Sequence, residues 1–273
     1  MNTKLFLSIG LLSLYGASVL SMKHGRDEEL PSYTEKKSKL VRQESSDRLL
    51  AFCRNRSDLR PVSYYIAQGA DVNAYDNRSR TCLHYASGRG DLSLVKTLLD
   101  QGASVDGIAG MTGHTALHSA AVNGHMDVCE ELISRGASVH AQSYKGWTPL
   151  HSAVWKGQTE VAKLLLANGA SLEAQTSIFK SKRSNLRGYT PLHLAVYGGY
   201  FALVQLFLEH NVNILATTSE NKTVSTIALE NGYKELAVYL ESLMNMVEEA
   251  TEDEVRRELC ENPSEMKKVR VMG

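Results

Sequence analysis

Four of the nine histidines stand in one recurring motif, and four cysteines accompany them in the chain. The histidines belong to TCLHYA at 81–86, TALHSA at 115–120, TPLHSA at 148–153 and TPLHLA at 190–195. Imidazole and thiolate groups bind zinc and act in acid–base or nucleophilic catalysis. The groups in such sites lie a few ångströms apart. The spacing of these residues along the sequence therefore indicates whether they can form a metal site or a catalytic site.

The spacing of the motif histidines is nearly constant. His84 and His118 are 34 residues apart, His118 and His151 are 33 apart, and His151 and His193 are 42 apart, which is one period plus nine residues. A further 33 residues lead to Thr226, while 33 residues before His84 lie at Ala51, and both sites lack the motif. The period therefore indicates internal repeats, with divergent units at the two ends.

Each unit carries the same local signals in the same order. In the fourth unit, Thr190 followed by Pro191 is typical of a helix start, and Gly198 with Gly199 ends that helix. The apolar residues at 203–208 then predict a second helix, and a polar turn closes the unit. A helix pair this short buries too little apolar surface to be stable alone, so successive pairs must stack.

These units resemble ankyrin repeats. The resemblance implies an all-α solenoid of antiparallel helix pairs, with projecting hairpin loops and a concave groove that contacts a partner. Four positions depart from the family pattern. Cys82 and Ala116 replace the motif proline, Ser79 replaces a turn glycine, and Asn211 replaces the glycine after a second helix.

The repeats set the expected domain organisation. We expect a signal peptide at 1–21, a flexible charged linker at 22–45, an ankyrin repeat domain at 46–244 and a charged tail at 245–273, partly helical around 247–259 and loose over its final dozen residues. Within the domain we expect an N-terminal cap at 46–75, repeats at about 76–108, 109–142, 143–184 and 185–217, and a C-terminal cap repeat at 218–244.

Stacking argues against chemistry at the motif histidines. Equivalent positions in packed helices lie about 8–10 Å apart, whereas zinc needs ligand bonds of about 2 Å. We therefore interpret the imidazoles as groups that hydrogen-bond backbone and threonine atoms between repeats. The chain has no nucleophile elbow, P-loop, dinucleotide fingerprint or carboxylate pair. It is therefore predicted to be no enzyme, with no catalytic residue, cofactor or metal.

The cysteines are predicted to be buried thiols rather than disulfides. Cys53, Cys82 and Cys129 fall at core or helix-start positions of the repeats, and Cys260 lies in the tail. No C-x-x-C or zinc spacing occurs. The disulfide alternative stays open, because oxidising compartments select against free thiols.

The N-terminus predicts export. Lys4 precedes an apolar run at 5–20, and small residues before Met22 suit cleavage after residue 21. The run is short for a membrane span, which needs about 20 residues. A secreted or periplasmic protein is the first expectation. The alternatives are an uncleaved membrane anchor and a cytoplasmic amphipathic segment.

Charge points to a protein partner. The chain has 30 basic and 30 acidic residues, so no strong field favours nucleic acid or an anionic membrane. We expect a monomeric adaptor that binds a protein or peptide, acidic or mixed in charge. The alternatives are a membrane-anchored spacer and a regulatory subunit or scaffold of an enzyme complex.

The family pattern also implies which residues face the partner. Tryptophan, tyrosine and arginine dominate binding hot spots, and both tryptophans of the chain fall in this set. The alternative is that the rings only stack between units and cover the core. The implied contacts are Arg78, Arg80, Arg89, His114, Asn123, Tyr144, Lys145, Trp147, Trp155, Lys156, Arg187, Tyr189 and Tyr197.

The insertion at 176–188 lengthens one hairpin and carries four cations and no acid. It is either a solvated loop or a second contact that reaches over the groove. Its cations are Lys180, Lys182, Arg183 and Arg187.

Overall fold

The computed structural model describes residues 33–55, 60–110, 112–177 and 186–261. The predicted signal peptide, the first part of the predicted linker, residues 178–185 of the insertion and the last twelve residues lie outside the described residues. The chain divides into two compact units, 1–40 and 41–273, and all the repeats belong to the second. No described helix combines the length and the apolar character that crossing a membrane requires.

Helices account for the architecture, as the all-α prediction requires. The described residues contain one isolated bridge, between Tyr75 and Thr81, and no longer strand. The twelve helices of the described residues, in chain order, are α1 (Tyr33–Asn55), α2 (Val62–Ala67), α3 (Cys82–Arg89), α4 (Leu92–Asp100), α5 (Ala116–Asn123), α6 (Met126–Ser134), α7 (Pro149–Trp155), α8 (Thr159–Ala167), α9 (Pro191–Tyr197), α10 (Phe201–Glu209), α11 (Val224–Glu230) and α12 (Lys234–Glu261).

The first helix of each central unit begins directly after the motif threonine. Thr148 and Thr190 have extended backbone angles and cap α7 and α9, whose first residues are the prolines predicted to start them. At the other end, Gly90 and Gly124 follow α3 and α5 with φ of 75° and 77°. A residue with a Cβ is strained there, so these glycines let the chain turn into the second helix.

The core uses the same second-helix positions in every unit. Each side chain at these positions is buried, and burial of one such leucine contributes about 1.5–3 kcal/mol. One series is Leu94, Val128, Val161, Leu203 and Leu236, and the next is Leu98, Leu132, Leu165, Phe207 and Leu240. The repeats therefore share one continuous hydrophobic interior.

Hydrogen bonds between successive hairpin tips join the loops. The amide of Tyr144 donates to the Thr112 carbonyl at 3.1 Å, that of Ser177 to Lys145 at 2.8 Å, and that of Ser219 to Arg187 at 3.2 Å. The acceptor side of each pair has a left-handed glycine next to it. At Gly113 an added Cβ would lie 2.7 Å from the Tyr144 amide nitrogen, so this approach requires glycine.

The first hairpin reverses this arrangement. Ser79 occupies the turn position with φ of 55°, although the family pattern has glycine there. The facing residue in the next hairpin is Gly110, where an added Cβ would come within 2.7 Å of the Ser79 Cβ. In this pair of hairpins the glycine therefore lies on the second hairpin, whereas in the other pairs it lies on the first. Asn211 also adopts a left-handed conformation, with φ of 53°, in place of the expected glycine.

The two terminal helices are longer than expected. Helix α1 begins at Tyr33, inside the segment predicted to be a flexible linker. Its later turns bury Leu49, Leu50 and Cys53 against the domain, and Arg48 pairs with Glu44 at 2.7 Å. These interactions favour a helix despite the charged composition. Helix α12 has 28 residues and joins the second helix of the cap repeat to the short tail helix predicted around 247–259.

The cysteines in the repeats are buried free thiols, as predicted for Cys53, Cys82 and Cys129. Contact with the Cys53 side chain and burial raise the pKa of Cys82, and burial raises the pKa of Cys129 to about 12. The thiols of Cys82 and Cys129 are therefore protonated at neutral pH and have little nucleophilic character. The Cys260 side chain lies outside the described residues.

Candidate functional site

The motif histidines join neighbouring repeats, which confirms their interpretation as hydrogen-bonding groups. In each central unit, Nδ1 accepts from the backbone amide of the motif threonine at 3.1–3.2 Å. The other ring nitrogen reaches a carbonyl of the next unit. Nε2 of His84 donates to His114 at 3.0 Å, that of His118 to Trp147 at 2.9 Å, and that of His151 to Tyr189 at 3.2 Å.

The fourth motif histidine lacks this second bond. His193 is fully buried, and its Nε2 has no hydrogen-bond partner among the described residues. The carbonyls of Ala216 and Lys222 face the ring without reaching hydrogen-bond geometry. The interface between the fourth unit and the cap repeat therefore lacks the histidine-to-carbonyl hydrogen bond that the three preceding interfaces have.

Burial keeps these rings neutral. It lowers the pKa of His118 to about 3 and those of His151 and His193 to about 4, although backbone carbonyls act in the opposite direction. A neutral ring with Nδ1 accepting from an amide must donate through Nε2. The part of the chain that the structure describes has no cluster of three or more histidine, cysteine or acidic residues that could hold a metal.

An open cavity of about 500 Å³ lies in the groove across the first three central repeats. Its floor comes from the inner faces of α3, α5 and α7, and its walls come from the bases of the hairpins and from the helix ends. The lining residues are Arg80, His84, Tyr85, Gly88, Arg89, Ala109, Thr112, His114, His118, Ser119, Val122, Asn123, Lys145, Trp147, Ser152 and Trp155.

The cavity lining is positively charged. Arg80, Arg89 and Lys145 all line it, and no acidic residue does. Arg89 donates through Nη1 to the carbonyls of Cys53 and, at 3.0 Å, of Arg54, which lie in the last turn of α1. Carbonyl acceptors leave its positive charge uncompensated. Arg89 therefore stabilises the end of α1 as well as facing the cavity.

The acidic side chain of the first hairpin is bound by the protein itself. Asp76 accepts the Tyr85 hydroxyl at 2.5 Å and the amides of Arg78 and Arg80 at 2.9 Å each. Burial alone would raise the pKa of Asp76, but these hydrogen bonds and the Arg80 charge outweigh it and the pKa is lowered. Asp76 is thus a negative group that shapes the first hairpin without lining the cavity.

A row of aromatic rings continues the groove beyond the cavity. The Trp147 and Trp155 ring centroids are 5.4 Å apart in an edge-on arrangement, and Trp155 stacks on Tyr197 at 6.1 Å with an interplanar angle of 12°. Tyr197 meets Tyr189 edge-on at 6.4 Å. We call these four residues the aromatic row. All but Tyr189 are half-buried, so they pack on the core and still present ring surface.

The structure divides the predicted contact residues into two groups. Seven line the cavity: Arg80, Arg89, His114, Asn123, Lys145, Trp147 and Trp155. The other six do not: Arg78, Tyr144, Lys156, Arg187, Tyr189 and Tyr197.

Two of these six, Tyr189 and Tyr144, lie in positions that do not fit a contact in the groove. Tyr189 is only 6% exposed, so its ring belongs mainly to the interior, as the alternative interpretation of the rings had it. Tyr144 is 61% exposed and lies at a hairpin tip over Gly113. It is accessible, but it does not line the cavity.

Sequence reasoning overlooked the small residues that make the cavity. Gly88, Ser119 and Ser152 lie on the inner helix faces, where the fourth repeat has Leu194 and Tyr197 in the corresponding columns. The signal was present in the aligned motifs, because a run of small side chains between large ones predicts a hollow.

Comparisons with known proteins agree with the repeat architecture. A family model described as ankyrin repeats (3 copies) matches residues 49–143 and 107–176, and a model described as ankyrin repeats (many copies) matches residues 182–228. Among curated proteins, no match to the chain is found. The ankyrin models cover well over half of the sequence, and the stacked helix pairs have the geometry they imply, so the chain belongs to the ankyrin-repeat family.

Proposed function

We propose that this chain is a non-enzymatic adaptor that binds a protein or peptide segment in its concave groove, with added contacts from the hairpin tips. Ankyrin repeats suggest a protein–protein interaction module. The observation that carries the proposal is the partly exposed portion of the aromatic row, Trp147, Trp155 and Tyr197, continuous with the cavity. Large rings that keep accessible surface are the residues on which binding energy concentrates.

The proposal includes a partner that is acidic or mixed in charge and a monomeric adaptor. Support for the first comes from the three cations in the cavity lining and the lack of an acid among the lining residues. Nucleic acid is a poorer partner, because the chain has no net charge to support the long-range attraction that such binding uses.

The double substitution Trp147→Ala with Trp155→Ala tests the groove. We expect a partner captured by the wild-type chain and identified by mass spectrometry to bind the variant at least about 30-fold more weakly, as loss of a hot spot implies. Tyr239→Ala is the matched control, because this ring is 52% exposed on α12, away from the groove. Partners bound equally by all three proteins would contradict the proposal.

The two tryptophans also pack on the core, so stability must be measured in the same samples. Trp155→Leu keeps much of the apolar volume while removing the ring. It should retain the helical circular dichroism spectrum and still lose affinity, which separates binding from folding.

Export is the second part of the proposal. The sequence before Met22 supports cleavage, and the alternative is a retained leader that makes the chain a membrane-anchored spacer. N-terminal sequencing of the mature protein from its own cell decides between them. A chain starting near Met22 supports export, whereas a chain that keeps Met1 contradicts cleavage.

A further inference from the structure

The cavity exists because small residues occupy some of the inner helix positions in three successive repeats. The column after the motif histidine reads Tyr85, Ser119, Ser152, and a second column reads Gly88, Val122, Trp155. The small residues Ser119, Ser152 and Gly88 leave a space, and the larger residues around them enclose it. A volume of about 500 Å³ lies within the range of about 300–1,000 Å³ that ligand sites occupy.

The two ends of the cavity differ in chemistry. The first repeat contributes Arg80 and Arg89, while the third contributes Trp147 and Trp155 together with one cation, Lys145. Because repeats stack in chain order, the arginines lie toward one end of the groove and the tryptophans toward the other. The second repeat supplies mainly neutral side chains between them, including Thr112, His114, Ser119, Val122 and Asn123.

The arginines keep their charge available to a ligand. Within the described residues, neither Arg80 nor Arg89 forms a salt bridge, and the Arg89 guanidinium donates to the backbone carbonyls of Cys53 and Arg54. The hydrogen bonds that Asp76 accepts hold its carboxylate at the turn of the first hairpin. A carboxylate brought in by a partner would therefore find two cations that form no ion pair with an acid among the described residues, with Asp76 acting on Arg80 only at longer range.

We infer that the cavity receives two side chains of the partner segment, an acidic one against Arg80 and Arg89 and a bulky apolar one against Trp147 and Trp155. This inference rests on the proposed function and adds the chemistry and order of the bound segment. Arginine binds both carboxylates and phosphates. The carboxylate fits better, because Gly88, Ala109, Val122 and the indole rings make much of the lining apolar, and dehydrating a dianion there costs more.

A random dodecapeptide library selected on the full chain tests the inference without a known partner. We expect the selected peptides to combine Asp or Glu with Leu, Phe or Trp. One such peptide, synthesised and titrated, should bind Arg80→Glu at least tenfold more weakly than wild type. Arg80→Gln gives a milder second variant, and Lys234→Glu, an exposed charge reversal at the start of α12, is the matched control.

A double-mutant cycle locates the acidic contact. Replacing the acidic residue of the peptide by its amide should weaken binding to wild type, yet change binding to Arg80→Gln much less, because the same interaction is already lost. Affinity for wild type should also fall as salt rises from about 0.05 to 0.5 M, since the cavity is open to solvent.

The outcomes separate this inference from the proposed function. Peptides that lose binding on Trp155→Leu, carry no acid and bind Arg80→Glu like wild type overturn the inference alone. A phosphoserine in place of the acid that binds more tightly than Asp or Glu overturns the choice of carboxylate. A library that gives no peptide dependent on Arg80, Trp147 or Trp155 overturns both.

Discussion

Each motif histidine is held in one protonation state by the contacts of its two ring nitrogens. The Nδ1 atom accepts from a threonine amide, which requires it to be unprotonated, and Nε2 of the first three donates across the repeat interface. A second proton would break the first contact and place a charge in the core. The motif histidine therefore has a structural role, and that role requires the neutral imidazole.

This use of histidine makes stability depend on pH. Unfolded histidine has a pKa of about 6.5, whereas burial lowers that of His151 to about 4 in the fold. Between these values the unfolded chain binds more protons, so stability is complete above about pH 6.5 and falls as the pH drops toward 4. We expect a histidine with the pKa shift of His151 to lower the free energy of unfolding by about 1.5 kcal/mol between pH 6.5 and 5.

Urea unfolding of wild type and His151→Gln at pH 7 and pH 5 measures this effect. The variant should lose about 1–3 kcal/mol at pH 7 through its hydrogen bonds, and then lose less than wild type on acidification. His140→Gln is the control, because His140 is exposed. An unchanged difference between wild type and His151→Gln at the two pH values would contradict the assignment.

Residues at one register position differ in how deeply they lie. Arg80, His114, Trp147 and Tyr189 each precede a motif threonine, so they occupy one register position of the repeat. Three of them line the cavity, whereas Tyr189 is buried against Tyr197 and His193. Register follows from the repeat period, but depth depends on the size of the neighbours on three helices, which one motif does not contain.

Helix pairs were predictable where they carried the motif, because threonine, proline and glycine mark their ends locally. The terminal helices were not, since their signals are spread over tertiary contacts. Residues 33–45 appear as a charged linker, yet they form a helix continuous with the buried turn at Leu49 and Leu50. Helix α12 likewise extends from the buried face at Leu236 and Leu240.

The exchange between Ser79 and Gly110 predicts a strong coupling between two hairpins. Gly110→Ala alone should cost about 1–3 kcal/mol, because the new Cβ would overlap the Ser79 side chain. Ser79→Gly alone removes a left-handed residue with a Cβ and should be neutral or stabilising by up to about 1 kcal/mol.

Chemical denaturation of the two single variants and the double variant measures the coupling. In the Ser79→Gly background, Gly110→Ala should lose most of its cost. The four free energies of unfolding then give a coupling of about 1 kcal/mol or more. Additive effects would mean that the two loops do not touch in solution.

Each repeat packs only against its neighbours, so the stability of the whole array depends on every interface between successive repeats. Three interfaces carry a histidine-to-carbonyl hydrogen bond, and the one formed by His193 does not. In a solenoid each unit is stabilised only by its neighbours, so a weaker interface localises opening. The cap repeat, α11 with α12, should therefore open more readily than the central units.

Hydrogen exchange followed by mass spectrometry checks this expectation. Amides of α11 should exchange at least about tenfold faster than those of α7, in line with a contact worth about 1–3 kcal/mol. His151→Leu should accelerate exchange in α7 and α9, whereas His193→Leu should alter α11 little, because it has no bond across that interface to lose. Equal protection of α7 and α11 would contradict the argument.

The Ser79–Gly110 contact between the first two hairpins also limits the order in which substitutions at these two positions can occur during evolution. Only one of the two facing positions, 79 and 110, accommodates a Cβ at a time. A route from the family arrangement to this one must first place glycine at 110, and a route back must first place glycine at 79. The path through the intermediate with two glycines therefore avoids the overlap, whereas the opposite order passes through a sequence destabilised by about 1–3 kcal/mol.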